Sequence, residues 1–364
     1  MTEANDRGNA VDRGGVTDQR SGEHAQPPTQ LGSRRRRRRG GRGGDGAPVV
    51  PDAEFTSYYG RPVVKASPWE GDIPAYLFLG GLAAGSSLLA AGADVTDRPA
   101  LRRAARLTAL GAISGSFAAL VHDLGRPSRF VNMLRVAKPT SPMSVGTWLL
   151  TAYGPAAGVA GAQEVVALVP KLLPRPLRVL LQALARPAGL GAAAVAPTIA
   201  AYTAVLLTDT ATPAWNSARR ELPFVFVGSA AAASSGMAMI TAPVAQAGPA
   251  RRLAVAGAAF ELAASHRMES SMGLPAEAMH QGTPGRLIQA SRVLTAVGAL
   301  GAALFGRWRP AAVVSGAALV AGSAATRFGV FEAGQASARD PRYTVVPQRE
   351  RVDARRAEAQ DLQA

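Results

Sequence analysis

Three histidines, His122, His266 and His280, each have carboxylates or arginines within a few residues. Imidazole is the side chain whose ordinary pKa lies near neutrality, so it exchanges protons readily at physiological pH. The densest group is His122 and Asp123, with Arg126 just beyond. Asp72 and Tyr76 come earlier in the chain, and Tyr202 and Asp209 later. A second group holds Glu261, His266 and, further on, Arg292. Such residues suit a ligand whose carbonyl oxygens accept hydrogen bonds and which gains or loses protons as it reacts. They also suit a proton route through an apolar medium.

Composition narrows the choice. The chain has 364 residues and no cysteine. It therefore has no disulfide, no thiolate zinc site and no iron–sulfur cluster of its own, since those clusters are held by Cys thiolates. If electrons reach this protein, the metal centres sit on a partner. The formal charge of +15 resembles a nucleic-acid signal. Much of it, however, lies in the run Arg34 to Arg39 and in polar tails, and no nucleic-acid partner is expected. Anionic lipid headgroups are one partner for that run. A solvated charged tail is the other reading.

The elements that must position these groups are membrane helices. Residues 1–66 are rich in Gly, Pro, Gln and Arg without apolar periodicity, and are expected to be disordered. A helix that spans the hydrocarbon needs about 20 apolar residues. Eight segments approach that length: Ile73–Ala93, Leu107–Leu124, Pro142–Ala162, Pro187–Thr208, Leu222–Ala247, Leu253–Met272, Leu287–Gly306 and Pro310–Thr326. The sixth is the weakest, because it carries Glu261, His266 and Arg267. Small residues recur throughout, which allows close helix approach in lipid. The link from Gln163 to Arg186 mixes Leu, Val, Pro and Arg and reads as lying in the interface plane. Residues 328–364 read as a polar tail, with Phe328–Glu332 able to dock on the membrane surface or a partner. The spanning bundle thus covers residues 67–327 of an all-α integral membrane protein.

With eight spans both tails share one face, here called the tail face. Asp72 and Tyr76 then open the first span on that face. His122 and Asp123 end the second, Asp209 ends the fourth, and His266 ends the sixth. Each alone reads as an interfacial charge. Together they form the site a quinone headgroup needs, with titratable donors beside its two oxygens. A stack of two haems across the membrane requires histidines at both faces, and His122 and His266 fall on one, so such a stack is not available and a single haem is the most the histidines allow. Cations in the short loops favour tails outside, whereas the basic tails favour tails inside.

Several segments resemble the NrfD/PsrC family, the membrane subunits of polysulfide reductase and related molybdopterin oxidoreductases. They are Tyr76-Leu77-Phe78-Leu79-Gly80-Gly81-Leu82-Ala83-Ala84-Gly85, His122-Asp123-Leu124-Gly125-Arg126-Pro127-Ser128-Arg129-Phe130, Ser141-Pro142-Met143-Ser144-Val145-Gly146-Thr147-Trp148, and Ala201 to Leu207 followed by Pro213-Ala214-Trp215-Asn216. The similarity covers roughly residues 68–330. It implies an eight-helix bundle of two four-helix halves and a quinone pocket, for menaquinone or ubiquinone, near the face that docks a ferredoxin-like iron–sulfur subunit. A molybdopterin catalytic subunit completes the implied complex, in the cell membrane, and the resemblance implies no haem in this chain. By the same match His122, Asp123 and Arg126 are the first site residues, then Tyr76, with Asp72, Tyr202 and Asp209 after them. The family pattern has Asn and His early in the opening helix, where this chain has Asp72 and Tyr76.

Two other functions compete. Glu261, His266 and Arg292 within late spans fit a secondary transporter or proton path, with Gly154-Pro155 and Ala196-Pro197 as helix interruptions. A plain membrane anchor with a degenerate pocket is the third reading.

Overall fold

The computed structural model describes residues 62–126 and 128–361. The Arg34–Arg39 run and most of the N-terminal segment expected to be disordered lie outside them. The described residues are helical, without strands. Eight long helices carry the fold: α1 (Asp72–Val95), α2 (Pro99–Asp123), α4 (Pro142–Leu168), α5 (Arg175–Thr208), α7 (Leu222–Thr241), α8 (Gly248–Met272), α9 (Gly282–Phe305) and α10 (Arg309–Arg339). Two five-residue helices, α3 (Arg129–Met133) and α6 (Pro213–Ser217), lie in connections, and a polar helix, α11 (Arg342–Asp361), follows.

Local sequence sets these limits. Proline sits in the first turn of α2, α4, α5, α7, α8 and α10. There its missing N–H is no loss, and its fixed φ suits the helix. Pro155, Pro187 and Pro197 lie inside helices that continue through them. The expected interruptions at Pro155 and Pro197 therefore do not break the chain. After α2, Gly125 takes a positive φ of 65° and donates to the His122 carbonyl. A side chain at that backbone angle would be strained, so this glycine turns the chain away directly beyond His122 and Asp123.

Side-chain contacts fix which helix ends meet. At one end, Asp72 in the first turn of α1 bonds His122 at the close of α2. At the same end Trp69 stacks on Trp215 of α6, which packs on Phe331 of α10, and Gln335 donates to the Ser67 and Trp69 carbonyls. At the other end Arg102 and Arg106 at the start of α2 reach Asp94 of α1 and Glu164 of α4. Gln246 after α7 accepts from the Ala100 and Leu101 amides. Arg309 opens α10 by donating to the Met239 and Ile240 carbonyls of α7 and to that of Ala242 just beyond it. The helices therefore alternate in direction. α1, α2, α4 and α5 form one group of four and α7 to α10 another, joined where α1 and α5 pack on α7. The tail-face assignment of Asp72, His122 and Asp209 agrees with this layout.

Among the described residues, six helices are long and apolar enough to cross a membrane: α1, α2, α5, α7, α9 and α10. α4 and α8 pack in the same bundle and are as long. At 1.5 Å per residue, α4 with its 27 residues spans about 40 Å. They fall short in composition. α8 carries Arg251, Arg252, Glu261, Arg267 and Glu269, while α4 is diluted by Gly, Thr, Ser, Gln163 and Glu164. Doubt about the sixth segment was thus well placed, but the third shares it.

Two boundaries differ from the sequence reading. The last helix does not stop at Thr326. It runs to Arg339, and Arg327, Val330 and Phe331 are buried, so Phe328–Glu332 is interior packing and not a surface-docking tail. The expected domain limit at 327 falls inside this helix. The Gln163–Arg186 link is likewise not an element of its own. It extends α4 to Leu168, makes one 3-10 turn at Pro170–Leu172, and then begins α5 at Arg175.

Candidate functional site

The first four-helix group encloses a small cavity at the tail face, of about 60 Å³. α1 contributes Ile73 and Tyr76, α2 contributes Asp123, α4 contributes Gly146 and Thr147, and α5 contributes Tyr202. Trp69 covers it from the segment before α1. Tyr76 is held by its helix: its carbonyl accepts from the buried Ser116 hydroxyl of α2 at 3.1 Å, which ties α1 to α2 one turn below the cavity. Tyr202 reaches the cavity because α4 has no side chain at Gly146. The phenol lies across that glycine so closely that a Cβ there would overlap its ring and hydroxyl.

Asp72 and His122 stand at the rim. The imidazole Nδ1 and the Asp72 Oδ2 are 2.6 Å apart, with the His122 side chain 81% exposed and the Asp72 side chain 36%. Such a short contact is the geometry of a charge-assisted hydrogen bond. Asp123, next in sequence, turns inward to the cavity instead. One helix terminus thus presents an exposed imidazole and a half-buried carboxylate on two sides of the same turn.

Five of the seven expected site residues therefore converge: Asp72, Tyr76, His122, Asp123 and Tyr202. Arg126 and Asp209 do not. Arg126 is exposed beyond the Gly125 turn, and Asp209 is an exposed cap of α5. The residues the sequence reading missed are Trp69 and Gly146. Gly146 stood within a segment already singled out, Ser141–Trp148, but the need for a missing Cβ is visible only when Tyr202 is placed against it.

A second polar group runs through the other half. Glu261 is 2% exposed and accepts from Thr326 at 2.7 Å. Thr326 in turn lies 2.6 Å from the Ser291 hydroxyl. Arg327, fully buried, donates to the Phe226 carbonyl at 2.8 Å and lies over the Phe226 ring. Within the described structure Glu261 Oε2 and Arg327 Nε and Nη1 have no hydrogen-bond partner. Nearer the tail face, Glu269 bridges Arg292 and His280. His266 is exposed and joins neither set. Of the expected proton-path residues, Glu261 and Arg292 thus belong to this seam, and His266 does not. Arg327 was missed because hydropathy falls at that residue while the helix continues.

A helical bundle with several helices long and apolar enough to span a bilayer, with ionisable groups at one rim and a second buried polar seam, is that of a multi-pass membrane protein. The family model described as polysulphide reductase NrfD matches residues 63–256, more than half of the chain. No curated protein matches. The chain belongs to the NrfD family, and membership points to a membrane subunit of an oxidoreductase complex.

Proposed function

We propose that this chain is the quinone-binding membrane subunit of a multi-subunit redox complex in the cell membrane, with α4 and α8 completing eight spans. Electrons pass between a ferredoxin-like iron–sulfur partner and the quinone pool, and a molybdopterin partner carries the substrate chemistry. The observation that carries this reading is the convergence of Tyr76, Asp123 and Tyr202 on one cavity whose rim holds the Asp72–His122 pair.

The cavity's chemistry fits a quinone headgroup, menaquinone or ubiquinone. Its walls are apolar, and two phenols and a carboxyl supply hydrogen bonds. It is narrow, but Met133 and Met143 lie among its lining residues. Unbranched thioether side chains change rotamer readily, which allows it to widen. A bound quinone accepts or releases two electrons with two protons. Tyr76 and Tyr202 would orient it by donating to its oxygens, Asp123 would hold a proton beside it, and His122 would exchange that proton with water through the rim. Trp69 and Gly146 keep the pocket closed around it.

The test is quinone-dependent electron transfer by the assembled complex in native membranes. His122→Ala and Asp123→Asn should each abolish most of that activity while the partner subunits remain attached. Unchanged activity in both, with quinone binding intact, overturns the assignment.

A second reading is favoured by the buried seam. Glu261 and Arg327 are ionisable groups at membrane depth with unpartnered polar atoms, the situation that marks proton or ion paths. In this reading Glu261 passes protons toward Glu269, Arg292 and His280. Proton uptake in proteoliposomes that survives in His122→Ala but is lost in Glu261→Gln would favour it.

A further inference from the structure

The face opposite the tails is strongly basic. Its two buried carboxylates are already taken up: Asp94 pairs with Arg102 and Arg186, and Glu164 with Arg102, Arg103 and Arg106. Arg175 and Arg178 are left with no carboxylate in ion-pair reach among the described residues. Arg178 makes one bond, to the Pro170 carbonyl at 3.2 Å. Both arginines line a cavity of about 290 Å³ between the end of α4 and the first turns of α5, together with Gln163 and Gln182.

This cavity lies at the depth of the membrane boundary. α5 has 34 residues and at 1.5 Å per residue is about 51 Å long, against a hydrocarbon core of about 30 Å. Its first turns therefore project beyond the core, or lie along its edge. Beside the arginines the same turns expose Leu177, Val179, Leu180 and Leu184, and α4 ends on exposed Leu168. A ligand that fits must be anionic at one end and apolar at the other.

We infer that this cavity binds the phosphodiester headgroup of an anionic phospholipid. Arg175 and Arg178 contact the phosphate, Gln163 and Gln182 bond the glycerol oxygens, and the acyl chains lie over the exposed leucines. The arginine stems cover apolar surface while their guanidinium groups stay at headgroup level. The site is independent of the quinone reading, because it lies at the other face and uses none of the same residues.

Native mass spectrometry of the full-length protein, incubated with equal amounts of phosphatidylglycerol and phosphatidylcholine, tests it. The wild-type protein should retain phosphatidylglycerol in preference. Arg175→Gln/Arg178→Gln should reduce that preference about thirtyfold, the ratio expected on removing two cations near an anionic surface. Arg252→Gln/Arg307→Gln, which removes two exposed arginines of the same face outside the cavity, should leave it intact. Equal retention of both lipids by the wild type, or equal loss in both double variants, overturns the proposal. Displacement of phosphatidylglycerol by inorganic phosphate alone also overturns it, because the cavity would then be a phosphate site and not a lipid site.

Discussion

Tyr202 rests on Gly146 where no other residue would fit, so α4 and α5 approach each other through a phenol ring packed on bare backbone. Gly146→Ala should displace the ring and cost about 1–3 kcal/mol, the usual range for adding a methyl group to a filled interior. Tyr202→Phe keeps the packing and removes only the hydroxyl. Thermal unfolding in nanodiscs should fall for the first variant and hold for the second, while quinone-dependent turnover falls in both. A Tyr202→Phe variant with full turnover would remove the phenol from the proposed site.

The rim pair gives a second prediction. If Asp72 orients His122 for proton exchange, Asp72→Asn and His122→Ala should slow quinone turnover by similar factors, on the order of a hundredfold for loss of a positioned acid–base group. The double variant should be no slower than His122→Ala alone, since the two act as a unit. Additive losses, measured as steady-state turnover in the assembled complex, would separate their roles.

Burial dictates the third. Arg327 and Glu261 both lie buried inside the second helix group, where Arg327 bonds the Phe226 carbonyl and covers its ring while Glu261 bonds Thr326. Arg327→Met removes the bond to the Phe226 carbonyl and should destabilise the protein by about 1–3 kcal/mol. The double variant Arg327→Met/Glu261→Gln should lose less than the sum of the two single losses if the two buried charges act on each other. Denaturation of the four proteins of this cycle gives the coupling directly.

A fourth prediction concerns the opposite face. Glu164 is 1% exposed and accepts from Arg106 at 3.1 Å, with Arg102 and Arg103 also within reach. Glu164→Gln should leave Arg106, itself buried, without its counter-charge. Hydrogen exchange should quicken at the start of α2 and the end of α4, where Glu164 holds the arginines together. The tail-face cavity should be unaffected.

Much of the architecture is legible in the sequence because long apolar runs have few alternatives. All eight runs became helices with ends within several residues of those expected, apart from the extended starts of α2 and α5 and the extended end of α10. Those exceptions share one cause. Arg102, Arg103, Arg175, Arg178 and Arg327 lower local hydropathy, yet each sits in a helix whose backbone bonding is indifferent to charge. Asp72, His122 and Asp123 were legible as a group because helix alternation alone brings the start of one span to the end of the next. Arg126 and Asp209 shared that face but not the cavity, since position along a helix does not specify which side a residue presents. Gly146 and the Arg327–Phe226 contact were out of reach, because each is a relation between distant helices.

Trp215 donates to the Val330 carbonyl across 115 residues of chain, and its partners Trp69 and Phe331 come from before the first long helix and from within the last. This knot cannot be tied until α10 has emerged from the ribosome. During synthesis the helices of the first group are already in the membrane while the indole waits for its carbonyl. The tail face is thus closed last, and only a chain translated through α10 carries it in finished form.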